Sequence, residues 1–264
     1  MDFSVHGGRA YAYTGGVPFD ASLRTVVFIH GGALDHSVWG LQARYFSHHG
    51  RAVLAPDLPG HGRSEGPALR RIEDMAAWLI ALLDAARVVR TALVGHSMGS
   101  LVALDCAARL PERVEAIALI GSAVPMRVSP ELLEAARSDE PRARAMINVW
   151  SHGAYAQFPG NPGPGSWVIG ANLKLMQRAK PGVLHADFSA CNDYAAGLER
   201  AAQVRCPALL VSGRRDQMTP ARGARALASA IPGAEWVELD GSGHNVMAEK
   251  PDELLDRLVR FLAR

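Results

Sequence analysis

Six short apolar runs, each stopped by a turn signal, recur along the chain. Residues 26–29 run into His30-Gly31-Gly32, 52–55 into Pro56-Asp57 and 92–94 into Gly95. Residues 116–120 stop at Gly121, 208–211 at Ser212-Gly213 and 236–239 at Asp240-Gly241. Runs this short, apolar on both faces and interrupted only by Glu238, predict strands buried on both faces in a parallel sheet. Between them lie stretches of helical period at 72–88, 101–109, 221–230 and 251–262. The last of these begins with Asp252 and Glu253 and has Arg260 near its end, the charge order that a helix dipole favours. Strand and helix in alternation predict an α/β fold, with a mostly parallel central sheet and helices on both faces.

The rhythm breaks once. Between 122 and 203 no strand-like run occurs, and helical patches at 130–137, 143–150, 172–178 and 189–202 surround a loop rich in glycine and proline at 158–170. The expected organisation is a core domain made of 1–121 and 204–264. A helical cap, 122–203, is inserted before the last two strands. Ligands of open α/β sheets bind outside the carboxyl ends of the strands, and a cap placed there would roof the site.

Chemistry concentrates at the ends of the predicted strands. Gly95-His96-Ser97-Met98-Gly99 follows one strand directly and opens one helix. In that context G-x-S-x-G places a serine on a sharp turn with its hydroxyl exposed, so Ser97 is the candidate nucleophile. A serine hydroxyl needs a base to take its proton. Of ten histidines, His244 lies on a loop after the last strand and before the last helix, and is the candidate base. His30 and His61, beside glycines, are expected to bond to backbone. His96 is expected to face away from Ser97, while His36, His152 and His185 could approach a pocket without having the right place in chain order. Asp216, on the turn after 208–211, is the candidate acid, and Asp240 is its rival, four residues before His244. The order Ser97, Asp216, His244 is the one associated with the nucleophile turn. Two backbone N–H groups, of Met98 and Gly32, are the expected donors to a developing oxyanion. Met126, Met146, Trp150 and Trp167 are the candidate pocket residues of the cap.

These features together resemble the α/β-hydrolase superfamily, in its branch of small bacterial esterases, lactonases and meta-cleavage hydrolases. The resemblance runs the length of the chain and rests on His30-Gly31-Gly32, the stretch from Asp57 to Ser64, Gly95 to Gly99, Gly213 to Asp216, and Gly243-His244. Ser100 departs from the glycine usual in the family. The resemblance implies a serine hydrolase that cleaves a carboxylic ester or lactone through an acyl-enzyme on Ser97. Dehalogenase-like and epoxide-hydrolase-like relatives carry aspartate where this chain has Ser97. Two alternatives stay open: cleavage of a carbon–carbon bond in a diketone-like substrate, and a non-catalytic ligand-binding protein on the same scaffold.

Composition narrows the partners. The formal net charge is +2 and the basic residues are scattered, so no nucleic-acid footprint is expected. No phosphate loop, dinucleotide fingerprint or metal-ligand cluster is legible, and neither cofactor nor metal is expected. Three cysteines in no metal or redox spacing are read as free thiols of a reducing, cytoplasmic setting. No apolar stretch is long enough for a bilayer span, and the expected partner is a small-molecule substrate.

Overall fold

The computed structural model describes residues 1–157 and 167–263. The strands are β1 (Asp2–Val5), β2 (Gly8–Tyr13), β3 (Thr25–Ile29), β4 (Ala52–Pro56), β5 (Thr91–His96), β6 (Val114–Ile120), β7 (Ala208–Gly213) and β8 (Glu235–Leu239). They form one sheet in the order β1-β2-β4-β3-β5-β6-β7-β8. From β4 to β8 every pairing is parallel, and β1 and β2 add an antiparallel ribbon at the β4 edge. That ribbon was not legible in the sequence. Its strands are short, polar on one side, and give neither a continuous apolar run nor a helical period.

The inner parallel strands, β3, β4, β5 and β7, are buried on both sides, with alternate residues sent to opposite faces, whereas the edge strand β8 buries only Leu239 fully. Val27 and Ile29 of β3 join Leu93 of β5 on one side of the sheet, where α2 (Ile72–Ala85) and α3 (Met98–Arg109) pack. Val26 and Phe28 join Val94 on the other, against α1 (Gly40–His48) and α11 (Pro251–Leu262). The last of these buries Leu254, Leu258, Phe261 and Leu262, a spacing of four, three and one that makes a single apolar stripe.

Between β6 and β7 the chain forms α4 (Pro130–Ser138), α5 (Glu140–Trp150), α6 (Val168–Met176), α7 (Val183–Asp193) and α8 (Gly197–Gln203). The helical patch expected at 189–202 is thus two helices, broken at 194–196. The loop expected at 158–170 ends sooner, since α6 begins at Val168, and 158–166 lie outside the described residues. Leu132, Ala136, Ile147, Met176, Leu184 and Phe188 form a core of this segment that closes over Ala33 and Leu34. Its last part packs downward, with α8 lying on α3. The sheet is completed after β7 by α9 (Ala221–Ala230), and after β8 by the single turn α10 (Val246–Glu249) and by α11.

Strand order fixes where a site can form. The chain leaves β3 for β4 on one side and places β5 on the other, so the loops after β3 and β5 diverge. A crevice opens between them, at the carboxyl edge of the sheet. Gly32 lies on the first of those loops and Ser97 on the second.

Candidate active site

Ser97 occupies the single residue between β5 and α3, with φ 52° and ψ −119°. A side-chain-bearing residue rarely adopts this conformation, which the surrounding packing must hold in place. The flanking glycines allow it by letting backbone approach backbone. A Cβ on Gly95 would collide with the carbonyl of Gly99, and one on Gly99 with those of Ile29 and His30. Ser100, the departure from the family pattern, is built into the turn. Its hydroxyl donates to the carbonyl of Ser97 at 2.5 Å and reaches Ser122 Oγ at 2.7 Å.

The β8–α10 loop brings His244 to the same pocket as Ser97. His244 Nδ1–H donates to Asp216 Oδ2 at 2.8 Å, which leaves Nε2 as the nitrogen that can act on a hydroxyl. Asp216 is buried on the turn after β7, and both its oxygens are engaged. Oδ1 accepts the N–H groups of Met218 and Thr219 at 2.8 Å each, while Oδ2 also accepts the Thr219 hydroxyl at 2.7 Å. Burial pushes the pKa of this carboxyl up. The neighbouring His244 and the bonds from Thr219 outweigh burial and hold it below the usual carboxylate range. Asp216 therefore both shapes its turn and offers a charged oxygen to the imidazole. Thr219 is a partner that sequence reasoning missed; hydroxyls on turns are too common to single one out. The rival Asp240 lies at the surface, its side chain 78% exposed and paired with Arg214 at 3.0 Å.

The remaining histidines divide by their neighbours. His30 bonds to backbone on both sides, donating to Gly31 O and accepting from Leu58 N–H. Burial, helped by repulsion from His61, lowers its pKa to about 4. His61 donates from Nδ1 to Pro59 O and from Nε2 to Asp187 Oδ2 at 2.8 Å. Burial would lower its pKa, but the Asp187 carboxylate raises it. His96 does not face away from the site as expected. It borders the pocket with Ser97, its ring centroid lies 4.7 Å from that of His244, and its Nε2–H donates to His244 O at 3.0 Å. The reason is that β5 ends at His96, and the turn at Ser97 folds the two side chains back toward one crevice. Burial, with His244 alongside, lowers its pKa to about 3. His152 accepts from Asn245 Nδ2 at 3.2 Å, His36 pairs with Asp57 at 2.8 Å, and His185 lies on α7 near Ser189.

Gly32 borders the Ser97 pocket, and Met98 supplies the first N–H of α3, where the helix dipole favours negative charge. The Gly32 loop is held from above by α7. Asp187 Oδ2 accepts the Ala33 N–H at 2.7 Å together with the proton of His61. A second buried carboxylate, Glu249, steadies the His244 loop. It accepts the N–H of Gly243 at 2.8 Å and, from the loop after α5, that of Gly153 at 2.7 Å. Burial raises its pKa to about 7, against those bonds. Neither acid carries a motif, because each acts through backbone N–H groups that any residue has.

Of the four candidate pocket residues, the structure brings two to Ser97. Met126 and Trp150 border a cavity that Ser97 also borders. Met146 packs into the core of the inserted helices. Trp167 is 72% exposed and borders a different hollow, on the outer side of α5 and α6. Helical period places a side chain on a face but does not say which face looks inward. Phe188 and Met218, unmarked in the sequence, border the Ser97 cavities instead. Asp35, His36 and Asp57 bring ligand atoms within 4.8 Å of one another. Asp57 already accepts from His36 and from the N–H of Arg63, so its electron pairs are committed to the protein.

A strained serine at the switch point of a parallel sheet, in one pocket with a histidine held by a buried aspartate, defines a hydrolase of the α/β type. The alpha/beta hydrolase family profile matches residues 26–257, and the chain belongs to that family. The pimeloyl-[acyl-carrier protein] methyl ester esterase of Aromatoleum aromaticum is 31% identical over 256 residues, covering 89% of this chain and 98% of the relative. An enol-lactonase from Burkholderia xenovorans LB400 superposes with a TM-score of 0.87 at 26% identity, over the whole of both chains. An N-acyl homoserine lactone degrading enzyme, 24% identical, shares the fold with a TM-score of 0.85 over 99% of this chain and all of its own. The protein is an enzyme of the carboxylic-ester hydrolase kind. Among the described residues no helix is long and apolar enough to cross a membrane.

Proposed function

We propose that the protein hydrolyses a carboxylic ester or lactone of a small, partly apolar substrate through an acyl-enzyme on Ser97. His244 Nε2 takes the hydroxyl proton as Ser97 Oγ attacks the carbonyl, then gives it to the leaving oxygen. Water, deprotonated by the same nitrogen, resolves the acyl-enzyme and restores the serine. Asp216 keeps the Nδ1–H tautomer and stabilises the imidazolium. The N–H groups of Gly32 and Met98 receive the oxyanion, each worth about 3 kcal/mol in such sites. The helices of 122–203 act as a cap over the pocket, and the setting is the reducing cytoplasm.

The observation that carries this reading is the 2.8 Å His244–Asp216 bond beside the strained Ser97. The names of two relatives, a methyl ester esterase and an enol-lactonase, support the same chemistry. Labelling with a fluorophosphonate tests it. Wild-type protein should label at Ser97 and hydrolyse short esters. Ser97→Ala should fold, since the loss removes only a hydroxyl, and should neither label nor turn over. Labelling that persists at another serine would remove Ser97 from the role.

A further inference from the structure

Two cavities of unequal size meet at Ser97. The smaller, about 30 Å³, is bordered by Gly32, Ile147, Asn172, His244 and Asn245. The larger, about 260 Å³, is bordered by Met126, Leu132, Trp150, Cys191 and Pro220. Ser97, Phe188 and Met218 border both, so the last two side chains stand as a partition over the nucleophile. Gly32 and His244 belong to the smaller cavity alone.

This division orients the substrate, given the acyl-enzyme reading above, on which the inference rests. In the tetrahedral intermediate the reacting carbon carries Ser97 Oγ, the oxyanion, the leaving oxygen and the acyl chain. The oxyanion must turn to Gly32 and the leaving oxygen to His244, which protonates it. Both groups lie on the small-cavity side. Only the fourth direction is left for the acyl chain, and it opens into the large cavity.

We infer that the acyl chain occupies the large, mainly apolar cavity and the alcohol the small one, so that the substrates are esters of a one- or two-carbon alcohol with a medium-length or arylalkyl carboxylic acid. The volumes set these sizes. One water needs about 10–15 Å³ of such space, so about 30 Å³ admits a group of two or three heavy atoms, and an apolar cavity of about 150 Å³ holds benzene. The large cavity therefore takes an acyl chain of roughly eight carbons. The first step exchanges the ester C–O bond for a Ser97 C–O bond and releases the small alcohol, carrying the serine's proton. Water then splits the acyl-enzyme into the acid and free serine.

The test is kcat/KM across two series, methyl esters of acids from two to twelve carbons and acetates of alcohols over the same range. In the first, rates should climb to an optimum near eight carbons, methyl octanoate exceeding methyl acetate by about tenfold or more. In the second they should fall beyond ethyl, by about tenfold or more at octyl. Trp150→Ala should move the acyl optimum to longer acids and leave the alcohol ranking unchanged. Ile147→Ala should relax the alcohol ranking alone, with thermal unfolding used to confirm that each variant folds. Long-chain acetates outrunning methyl esters of long acids would overturn the orientation while leaving the acyl-enzyme intact. Hydrolysis of neither series by a protein that still labels at Ser97 would also overturn only this inference. Loss of labelling as well would take the acyl-enzyme reading with it.

Discussion

At Asp216 one side chain holds two sets of partners, and this makes its substitution informative. Oδ1 accepts two backbone N–H groups and Oδ2 faces His244 Nδ1. In Asp216→Asn the amide oxygen must stay at the Oδ1 position, because an NH₂ there would meet two donors. The NH₂ is then forced against His244, where it favours the tautomer that carries its proton on Nε2. That nitrogen could no longer accept a proton from Ser97. In the serine-protease template the same change costs about 10⁴ in turnover, and a loss of about 10² or more is expected here. Asp240→Asn should change ester turnover by less than about twofold, since it breaks only a surface ion pair. An inactive Asp240→Asn beside a working Asp216→Asn would move the acid to Asp240.

At the level of elements, the site is assembled by carboxylates that tie loops together. Asp187 on α7 fastens the loop after β3, and Glu249 on α10 fastens the His244 loop to the chain leaving α5. Glu249 has a measurable signature. An exposed glutamate titrates near 4.5, whereas this carboxyl holds its proton in the folded state up to about 7. Between those values the folded protein binds more protons than the unfolded chain, so stability falls as pH rises. The penalty is absent below 4.5 and complete above about 7, where it is on the order of 3 kcal/mol. Glu249→Gln stays neutral throughout. Its stability deficit relative to wild type, read from urea unfolding, should therefore shrink between about pH 5 and about pH 8. A deficit that stays constant would mean the carboxylate is already charged in the folded protein at the acid end of that range.

For the whole molecule the buried histidines contribute to acid sensitivity, beside Asp57 and Asp216, whose pKa values are lowered in the fold. His30 and His96 are neutral in the fold, with pKa values of about 4 and about 3, and titrate near 6.5 when exposed. Their contribution is fully present above 6.5 and is lost as pH falls toward those lower values. His61, whose pKa is raised by Asp187, runs the other way and is not lost in acid. At about pH 5, unfolding should then take up about two protons at His30 and His96 and release nearly one from Glu249. Glu249→Gln should therefore take up nearly one proton more on unfolding than wild type does. The slope of unfolding free energy against pH measures this, at about 1.4 kcal/mol per pH unit for each proton. A slope near zero in Glu249→Gln would show that His30 and His96 are not buried as neutral rings.

The sequence alone carried the parallel sheet and its inserted helices, because burial on both faces and helical period are written in consecutive residues. It also carried Ser97, whose turn is enforced by the glycines two positions to either side. His244 and Asp216 were legible through chain order, since each strand must deliver its loop to the same edge of the sheet. Tertiary packing decided the rest. The Ala33 N–H meets Asp187 across 154 residues, and His61 meets it across 126; no local pattern records such pairs. His96 faces the site because of how one turn folds, and Trp167 lies outside it because α6 presents it to the outer side. The two cavities exist only where the inserted helices settle over β3 and β5. A residue's neighbours in sequence set its backbone, but what its side chain touches depends on which distant segments the core brings over it.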